Sequence, residues 1–162
     1  LKARPAGPEK IRIMITGILA DAPALTAILD EFGMHVVADD IAAESRQYRV
    51  DAPKGKDPLD RLVQKFRGLD NCSVLYDPEK KRIEFIVEEA KARKVRGILV
   101  ILAKFCDPEE FDYPFIKRAC ETRRIPCAIV EVDRQMVNHE QARTLIETFR
   151  DLLAQKQIIT GV

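Results

Sequence analysis

The sequence predicts an α/β fold with a parallel sheet, and three features of the chain indicate it. Four short runs of apolar residues are nearly continuous, which is typical of strands covered on both faces. Segments with helical spacing of apolar residues separate these runs. The length of 162 residues, with 46% hydrophobic and 33% charged side chains, suits one ordinary globular domain.

The first half of the chain predicts strand, helix, strand and two further helices. Residues 11–16 form an apolar run closed by Gly17, and residues 35–38 form a second run that continues into Asp39 and Asp40. The helix between them is opened by Asp21-Ala22-Pro23 and ended by Gly33; its apolar positions are Leu25, Ile28, Leu29 and Phe32.

Two amphipathic helices are predicted next, and each is expected to begin at an Asp-Pro pair. The aspartate can cap the free N–H groups, and proline occupies a position that needs no donor. The first begins at Asp57-Pro58 and has the apolar stripe Leu59, Leu62, Val63, Phe66 and Leu69; the second begins at Asp77-Pro78 and has Ile83, Ile86, Val87 and Ala90.

The second half predicts two more strands, each followed by a helix. Residues 97–102 and 126–132 are the strands. Asp107-Pro108 opens the intervening helix, which carries Phe111, Phe115 and Ala119, with Glu110 at the position of a capping-box partner. The last helix is expected over residues 139–153; its inward side chains would be Ala142, Leu145, Ile146, Phe149 and Leu153.

These elements together predict a three-layer fold with a four-stranded parallel sheet, flavodoxin-like or Rossmann-like, and a long C-terminal helix. Residues 1–8 are expected to be a flexible lead-in, and residues 9–162 a single α/β domain. Sites in such sheets form at the carboxyl ends of the strands. The candidate loops are therefore residues 16–21, 39–49 and 103–109.

Charge and composition exclude several classes of partner. Lysine and arginine number 27 against 26 acidic residues, so no basic field favours nucleic acid. No apolar run approaches a membrane span, and no secretory signal is visible, which predicts a cytoplasmic protein. Glycine-rich phosphate motifs are missing, which disfavours a nucleotide-binding Rossmann domain.

Asp40, Arg46 and Cys106 are the polar candidates in the last two loops. Asp40 could hold a ribose or cap a following helix, and Arg46 could bind a carboxylate or phosphate or be solvated. Cys106 lies between a strand and a helix start, where a thiolate is stabilised for nucleophilic attack or metal binding; it could also be an apolar filler. A thiol hydrolase is disfavoured because His35 and His139 lie outside the candidate loops.

The four cysteines do not form a self-contained metal site. Cys72, Cys106, Cys120 and Cys127 have no Cys-x-x-Cys spacing. Cys120 and Cys127 are predicted to be core residues, and Cys72 is ambiguous. Free buried thiols or an incomplete metal site are therefore better interpretations than a disulfide framework.

The motif Lys104-Phe105-Cys106-Asp107-Pro108 after an apolar strand resembles the iron–sulfur subunits of the 2-hydroxyacyl-CoA dehydratase and benzoyl-CoA reductase family. The strand ending at Gly17 and the sequence Val37-Ala38-Asp39-Asp40 with Ser45-Arg46 are similar to the same family. So are Arg82 and the closing Gln141-Ala142-Arg143-Thr144. Leu145 and Glu140 depart from the family pattern. The match is closest to a 2-hydroxyglutaryl-CoA dehydratase D-component-like subunit and spans nearly the whole chain.

The resemblance implies the C-terminal part of a larger subunit in a heterodimer with a homologous second subunit. An ATP-dependent activator would deliver a low-potential electron to a 4Fe-4S cluster, and an acyl-CoA would be dehydrated or ring-reduced in anaerobic metabolism. It implies Cys106 as a metal ligand, with two further ligands expected before Leu1, and Gly17, Asp40, Ser45, Arg46 and Arg143 as substrate-binding residues. The 162 residues alone would be inactive.

A rival hypothesis comes from another functional class. The domain could be a non-catalytic α/β binding or subunit-assembly module in which Cys106 is structural. The sequence does not name the acyl group.

Overall fold

The computed structural model describes residues 10–20, 23–75, 77–133 and 139–159. These residues form four strands and six helices. The strands are β1 (Ile11–Gly17), β2 (Met34–Ile41), β3 (Gly97–Ala103) and β4 (Cys127–Val132). The helices are α1 (Pro23–Glu31), α2 (Ser45–Tyr48), α3 (Pro58–Gly68), α4 (Lys81–Ala92), α5 (Asp107–Thr122) and α6 (Glu140–Ile159).

The four strands pair in the order β2-β1-β3-β4, and every pairing is parallel. The chain leaves β1 toward β2 on one side of the sheet and later continues through β3 and β4 on the other. The order therefore reverses between β1 and β3, which is where open α/β sheets form their crevice. The predicted α/β fold with a four-stranded parallel sheet is confirmed.

Two hydrophobic cores lie on opposite faces of the sheet and make the three layers. Helices α1 and α6 cover one face, where Leu25 and Phe149 pack with Ile13 and Leu99 of the sheet. Helices α4 and α5 cover the other. The alternation along β3 explains this arrangement, because Leu99 and Ile101 belong to the first core and Ile98 and Val100 to the second. The long C-terminal helix is confirmed as α6.

The Asp-Pro rule predicts the start of α3 correctly but not that of α4. Asp57 caps α3 by accepting a hydrogen bond from the N–H of Leu59 at 3.0 Å. Helix α4 begins only at Lys81. Asp77 instead accepts hydrogen bonds from the N–H groups of Glu79 and Lys81, at 3.1 and 2.6 Å, while Lys80 is left-handed with φ of 52°. The Asp77-Pro78 pair therefore forms a tight turn before the helix and does not begin it.

Several apolar side chains on the predicted helices are exposed, including Leu145, which the sequence places inward. Leu145 is 41% exposed, although its neighbours on α6 at the predicted inward positions are buried. On α5, Phe111 and Phe115 are 72% and 51% exposed, and the buried residues are Glu109, Asp112, Ile116 and Cys120. The α3 stripe, defined as Leu59, Leu62, Val63 and Phe66, is also exposed.

Residues 1–8, the expected lead-in, lie outside the described residues. Among the residues that are described, no helix combines the length and apolar character that crossing a bilayer requires.

Candidate functional site

A cluster of buried charges lies where β1 and β2 end. Thr16 is the penultimate residue of β1 and Asp40 the penultimate residue of β2, and they are paired in the register of the two strands. Both side chains are completely buried. The threonine hydroxyl donates a hydrogen bond to Asp40 Oδ2 at 2.9 Å. The parallel register thus places a polar pair inside the carboxyl edge of the sheet.

Both oxygens of Asp40 are surrounded by guanidinium groups. Arg46 Nε donates to Oδ1 at 3.1 Å and its Nη2 to Oδ2 at 3.0 Å. Arg82 Nε donates to Oδ2 at 2.8 Å, and Arg49 Nη1 lies 2.8 Å from Oδ1. Burial on its own would raise the pKa of Asp40, but Arg82 and Arg46 outweigh it and hold the pKa below the usual value. The carboxylate is therefore ionised and saturated with donors.

Arg82 joins the sheet to α5. Its Nη2 donates to Thr16 Oγ1 at 2.8 Å and to Glu109 Oε2 at 2.9 Å, and its Nη1 donates to Asp112 Oδ2 at 3.0 Å. Burial opposes the charged form, but Asp40 and Glu109 raise the pKa of Arg82 above its ordinary value. One side chain from α4 thus connects β1, β2 and α5.

Glu109 receives donors from three separate segments. Its Oε1 accepts hydrogen bonds from Ser73 Oγ at 2.5 Å and Arg46 Nη2 at 3.2 Å, and its Oε2 accepts the bond from Arg82. We call Asp40, Arg46, Arg82, Glu109 and Asp112 the buried charge network, since each is at most 5% exposed. Buried ions keep their charge only when each is paired, and each of these five is.

The predicted residues Gly17 and Ser45 adjoin this network. The Gly17 carbonyl accepts a hydrogen bond from Arg46 Nη2 at 3.1 Å. A Cβ atom on Gly17 would lie 2.2 Å from the Ile101 carbonyl oxygen, so the glycine lets β1 and β3 approach. The Ser45 hydroxyl donates to the Asp39 carbonyl at 2.9 Å and accepts from Arg49 Nη2 at 3.1 Å.

Cys106 occupies the N-cap of α5, at the exit of β3. Its side chain makes no capping hydrogen bond and is half-buried. Its carbonyl accepts a hydrogen bond from the N–H of Glu109 at 3.0 Å, which closes the first turn. Phe105 precedes it in a left-handed conformation with φ of 64° and is 90% exposed. Cys106 therefore lies at the N-terminus of α5, three residues before Glu109 of the buried charge network.

Arg143 is not brought to this cluster. It lies on α6, where its guanidinium forms an ion pair with Glu31 at the end of α1 and stacks 5.2 Å from the ring centre of Phe32. Gly17, Asp40, Ser45, Arg46 and the Cys106 helix start are therefore grouped, and Arg143 belongs to the α1–α6 surface.

The described residues do not provide a self-contained metal site. In the described ranges, no three His, Cys, Asp or Glu side chains are close enough to hold a metal ion. Cys106 offers one soft ligand at a partly open position. Cys72 Sγ accepts a hydrogen bond from Arg46 Nη1 at 3.6 Å, while Cys120 is buried and Cys127 half-buried, as core thiols on α5 and β4. Among the described cysteines, Cys106 is thus the half-buried thiol at a helix start on the carboxyl edge of the sheet.

Sequence reasoning missed the roles of Glu109 and Asp112 and gave Arg82 none. A signal was present, because Glu109, Asp112, Ile116 and Cys120 follow a helical spacing of three, four and four residues. Arg82, Ile86 and Ala90 do the same on α4. Extending each apolar stripe by one turn toward the carboxyl edge would have identified the charged residues as inward-facing.

Comparison with known proteins gives one family and three close relatives. The sequence profile of the family described as 2-hydroxyglutaryl-CoA dehydratase, D-component, matches residues 1–153. The beta subunit of (R)-phenyllactyl-CoA dehydratase from Clostridium sporogenes is 51% identical over 145 residues, which cover 90% of this chain and 38% of the relative.

Two further relatives are also beta subunits of dehydratases. Lactoyl-CoA dehydratase subunit beta from Anaerotignum propionicum is 35% identical and covers 94% of this chain and 41% of the relative. Subunit beta of (R)-2-hydroxyglutaryl-CoA dehydratase from Acidaminococcus fermentans is 35% identical and covers 94% and 42%. The chain thus spans well under half the length of the relatives it matches.

Proposed function

We propose that this chain, which belongs to the 2-hydroxyglutaryl-CoA dehydratase D-component family, is part of a beta-type subunit. The enzyme that contains this subunit would dehydrate a 2-hydroxyacyl-CoA. Three relatives that are named dehydratases support dehydration over aromatic ring reduction. Their description as beta subunits supports a second subunit as partner. An ATP-dependent activator and a cytoplasmic location complete the proposal, on the family resemblance alone.

The observation that carries this proposal is the position of Cys106. Its thiol has no capping hydrogen bond, stands at the mouth of α5, and lies one helical turn from a buried carboxylate. We propose Cys106 as one ligand of a 4Fe-4S cluster whose remaining ligands belong to other parts of the complex. When bound, such a cluster supplies one-electron chemistry at low potential to the acyl-CoA.

The residues of this chain hold that ligand and shape its surroundings. Cys106 immediately precedes the first turn of α5, and the thiolate is the form of a cysteine that binds metal. Asp40 and Arg46 are paired with each other and with further partners in the buried charge network, and the Ser45 hydroxyl is bound to the backbone and to Arg49. We therefore propose that Gly17, Asp40, Ser45 and Arg46 form a rigid wall near the substrate, with their polar groups directed at one another.

Replacing Cys106 tests the ligand assignment. The full-length subunit with its partner is reconstituted anaerobically with iron and sulfide, as wild type, Cys106→Ser and Cys127→Ser. Cys127 is the first residue of β4, at the amino end of the parallel strands, whereas Cys106 follows the carboxyl end of β3. The Cys127 variant is therefore a matched control. We expect Cys106→Ser to lose most of the iron, sulfide and visible cluster absorbance, and Cys127→Ser to retain them. Equal loading of Cys106→Ser and wild type rejects the assignment.

A second candidate function is a non-catalytic subunit-assembly module with Cys106 structural. The exposed α3 stripe favours it, because four large apolar side chains are left facing solvent. Alkylation of the native chain separates the two candidates. A structural Cys106 should resist iodoacetamide, as we expect of the buried Cys120, whereas a ligand awaiting its cluster should react rapidly.

A further inference from the structure

We propose that Glu109 is a positioning residue for Cys106: its buried carboxylate fixes the first turn of α5 to the buried charge network, and so sets the direction and electrostatic surroundings of the Cys106 sulfur. This proposal rests on the assignment of Cys106 as a cluster ligand. It adds a residue that the family resemblance did not indicate.

The backbone of the first turn of α5 links Glu109 to Cys106. Glu109 follows Cys106 by three residues, and its N–H donates to the Cys106 carbonyl at 3.0 Å, as the N–H of Glu110 also does. Any displacement of the Glu109 backbone is therefore transmitted through one hydrogen bond to the residue that carries the thiol. Cys106 makes no capping hydrogen bond of its own, so its side chain takes its direction from the turn.

The three acidic residues of the first turn of α5 differ in burial. Asp107, Glu109 and Glu110 are all acidic, and all three complement the N-terminal end of the helix dipole. Asp107 and Glu110 are exposed, whereas Glu109 is 1% exposed. The helix dipole alone does not require a buried carboxylate, because the exposed pair already provides the favourable charge. The burial of Glu109 needs a separate explanation.

The partners of Glu109 provide that explanation. Ser73 precedes α4, Arg46 lies on α2 and Arg82 on α4, so three segments converge on one carboxylate. Rotation of α5 about its axis would break these contacts together. A carboxylate held from three directions restricts the helix mouth more than a packed apolar side chain, because each hydrogen bond has a preferred direction.

The charge of Glu109 gives the effect a sign. Glu109 is three residues from Cys106 on the same helix, and its carboxylate is buried, where charges act strongly. Removing that charge leaves Arg46 and Arg82 less compensated. A more positive environment favours the reduced, more negative state of a cluster, so its reduction potential should rise.

The test uses the reconstituted dehydratase complex and three glutamate or aspartate variants. Glu109→Gln removes the charge and keeps the shape, and Glu110→Gln removes a charge from the adjacent exposed position. Asp112→Asn removes another buried partner of Arg82, one turn farther along α5. Urea unfolding ranks the variants by stability, and electrochemical titration with electron paramagnetic resonance reports the potential and symmetry of the cluster.

We expect Glu109→Gln to raise the reduction potential and alter the resonance spectrum, and Glu110→Gln to leave both as in wild type. Asp112→Asn should lower stability with a smaller change in potential. Ser73→Ala removes one hydrogen bond to Glu109 without removing charge, and it should alter the resonance spectrum in the same direction as Glu109→Gln. Ser73→Ala should also stay folded, so it serves as the test if Glu109→Gln does not fold.

Two outcomes overturn the inference. One is a potential and spectrum of wild type in both Glu109→Gln and Ser73→Ala. The other is an equal shift in Asp112→Asn and Glu109→Gln, which would assign the effect to the network as a whole. Failure of the proposed function would be seen in a different experiment. If Cys106 is not a cluster ligand, Cys106→Ser will retain its cluster, and this result does not depend on any Glu109 variant.

Discussion

The buried charge network and the α3 stripe invert the usual placement of side chains in opposite ways. The network puts five ionised residues inside the protein, each at most 5% exposed. The α3 stripe puts four large apolar residues outside, each at least 45% exposed. Both segments are ordered secondary structure or its immediate edge, so neither inversion reflects a failure to fold.

The difference between them lies in how each group is satisfied. Every ion of the network is matched by an opposite charge within 3.2 Å, and Asp40 also receives the hydroxyl of Thr16. Its cost of desolvation is offset inside the domain. The α3 stripe gains nothing from the described residues, because its apolar surface stays in water. The network is thus complete within this chain, and the stripe is not.

Breaking the network should produce the largest effect. Asp40→Asn leaves Arg46 and Arg82 without their shared carboxylate in a buried site, and the cost of such a loss is about 3–5 kcal/mol in the free energy of unfolding. Urea denaturation of the purified chain followed by circular dichroism measures it. Asp60→Asn on exposed α3 is the control and should change stability by no more than about 0.5 kcal/mol.

The same carboxyl gives the stability a pH dependence. The pKa of Asp40 is lowered in the folded protein, so its contribution is present above the unfolded value of about 3.9 and is lost as the pH falls through the folded value. Wild type should therefore lose stability on acidification below about pH 4. Asp40→Asn should show a flatter profile there. Parallel profiles would mean that Asp40 does not carry this charge linkage.

Crowding the sheet beside the network should have a smaller effect. Gly17→Ala places a Cβ 2.2 Å from the Ile101 carbonyl oxygen, and relieving such a clash costs about 1–3 kcal/mol. Gly68→Ala at the end of α3 is the control, since its Cβ meets only the Val50 side chain at 3.1 Å. We expect the melting temperature to fall for Gly17→Ala and to stay unchanged for Gly68→Ala. Equal melting temperatures would contradict the close approach of β1 and β3.

The fold could be predicted from local pattern because each strand and helix carries its own signal. A few adjacent residues are enough to predict each of two examples: the apolar strand β3, and the capped start of α3 at Asp57-Pro58. The start of α4 could not be predicted from Asp77-Pro78, since the competing structure is a turn that uses the same aspartate oxygens. Leu145 shows a second limit, because helical spacing gives a direction but not the edge of the buried sector.

The candidate site could be predicted only in part. The rule that sites lie at carboxyl ends of strands selects the loops of Gly17, Asp40 and Cys106, which the topology does bring to one edge. The mutual pairing of Asp40, Arg46 and Glu109 could not be predicted, because their separations in sequence are 6 and 63 residues. Pairing over such distances depends on the strand order, which the residues themselves do not encode locally.

The smallest effect should come from the α3 stripe, and it tests whether the inversion there is real. Phe66→Ala should change the free energy of unfolding by no more than about 0.5 kcal/mol, because Phe66 is 63% exposed and alanine favours a helix. Phe149→Ala on α6 is the matched control; Phe149 is 2% exposed, and its loss should cost about 3–5 kcal/mol. If the two variants were equally destabilised in urea, α3 would be packed in solution and the contrast with the network would disappear. If only Phe149→Ala is destabilised, the α3 stripe is apolar surface that the domain does not need for its own folding.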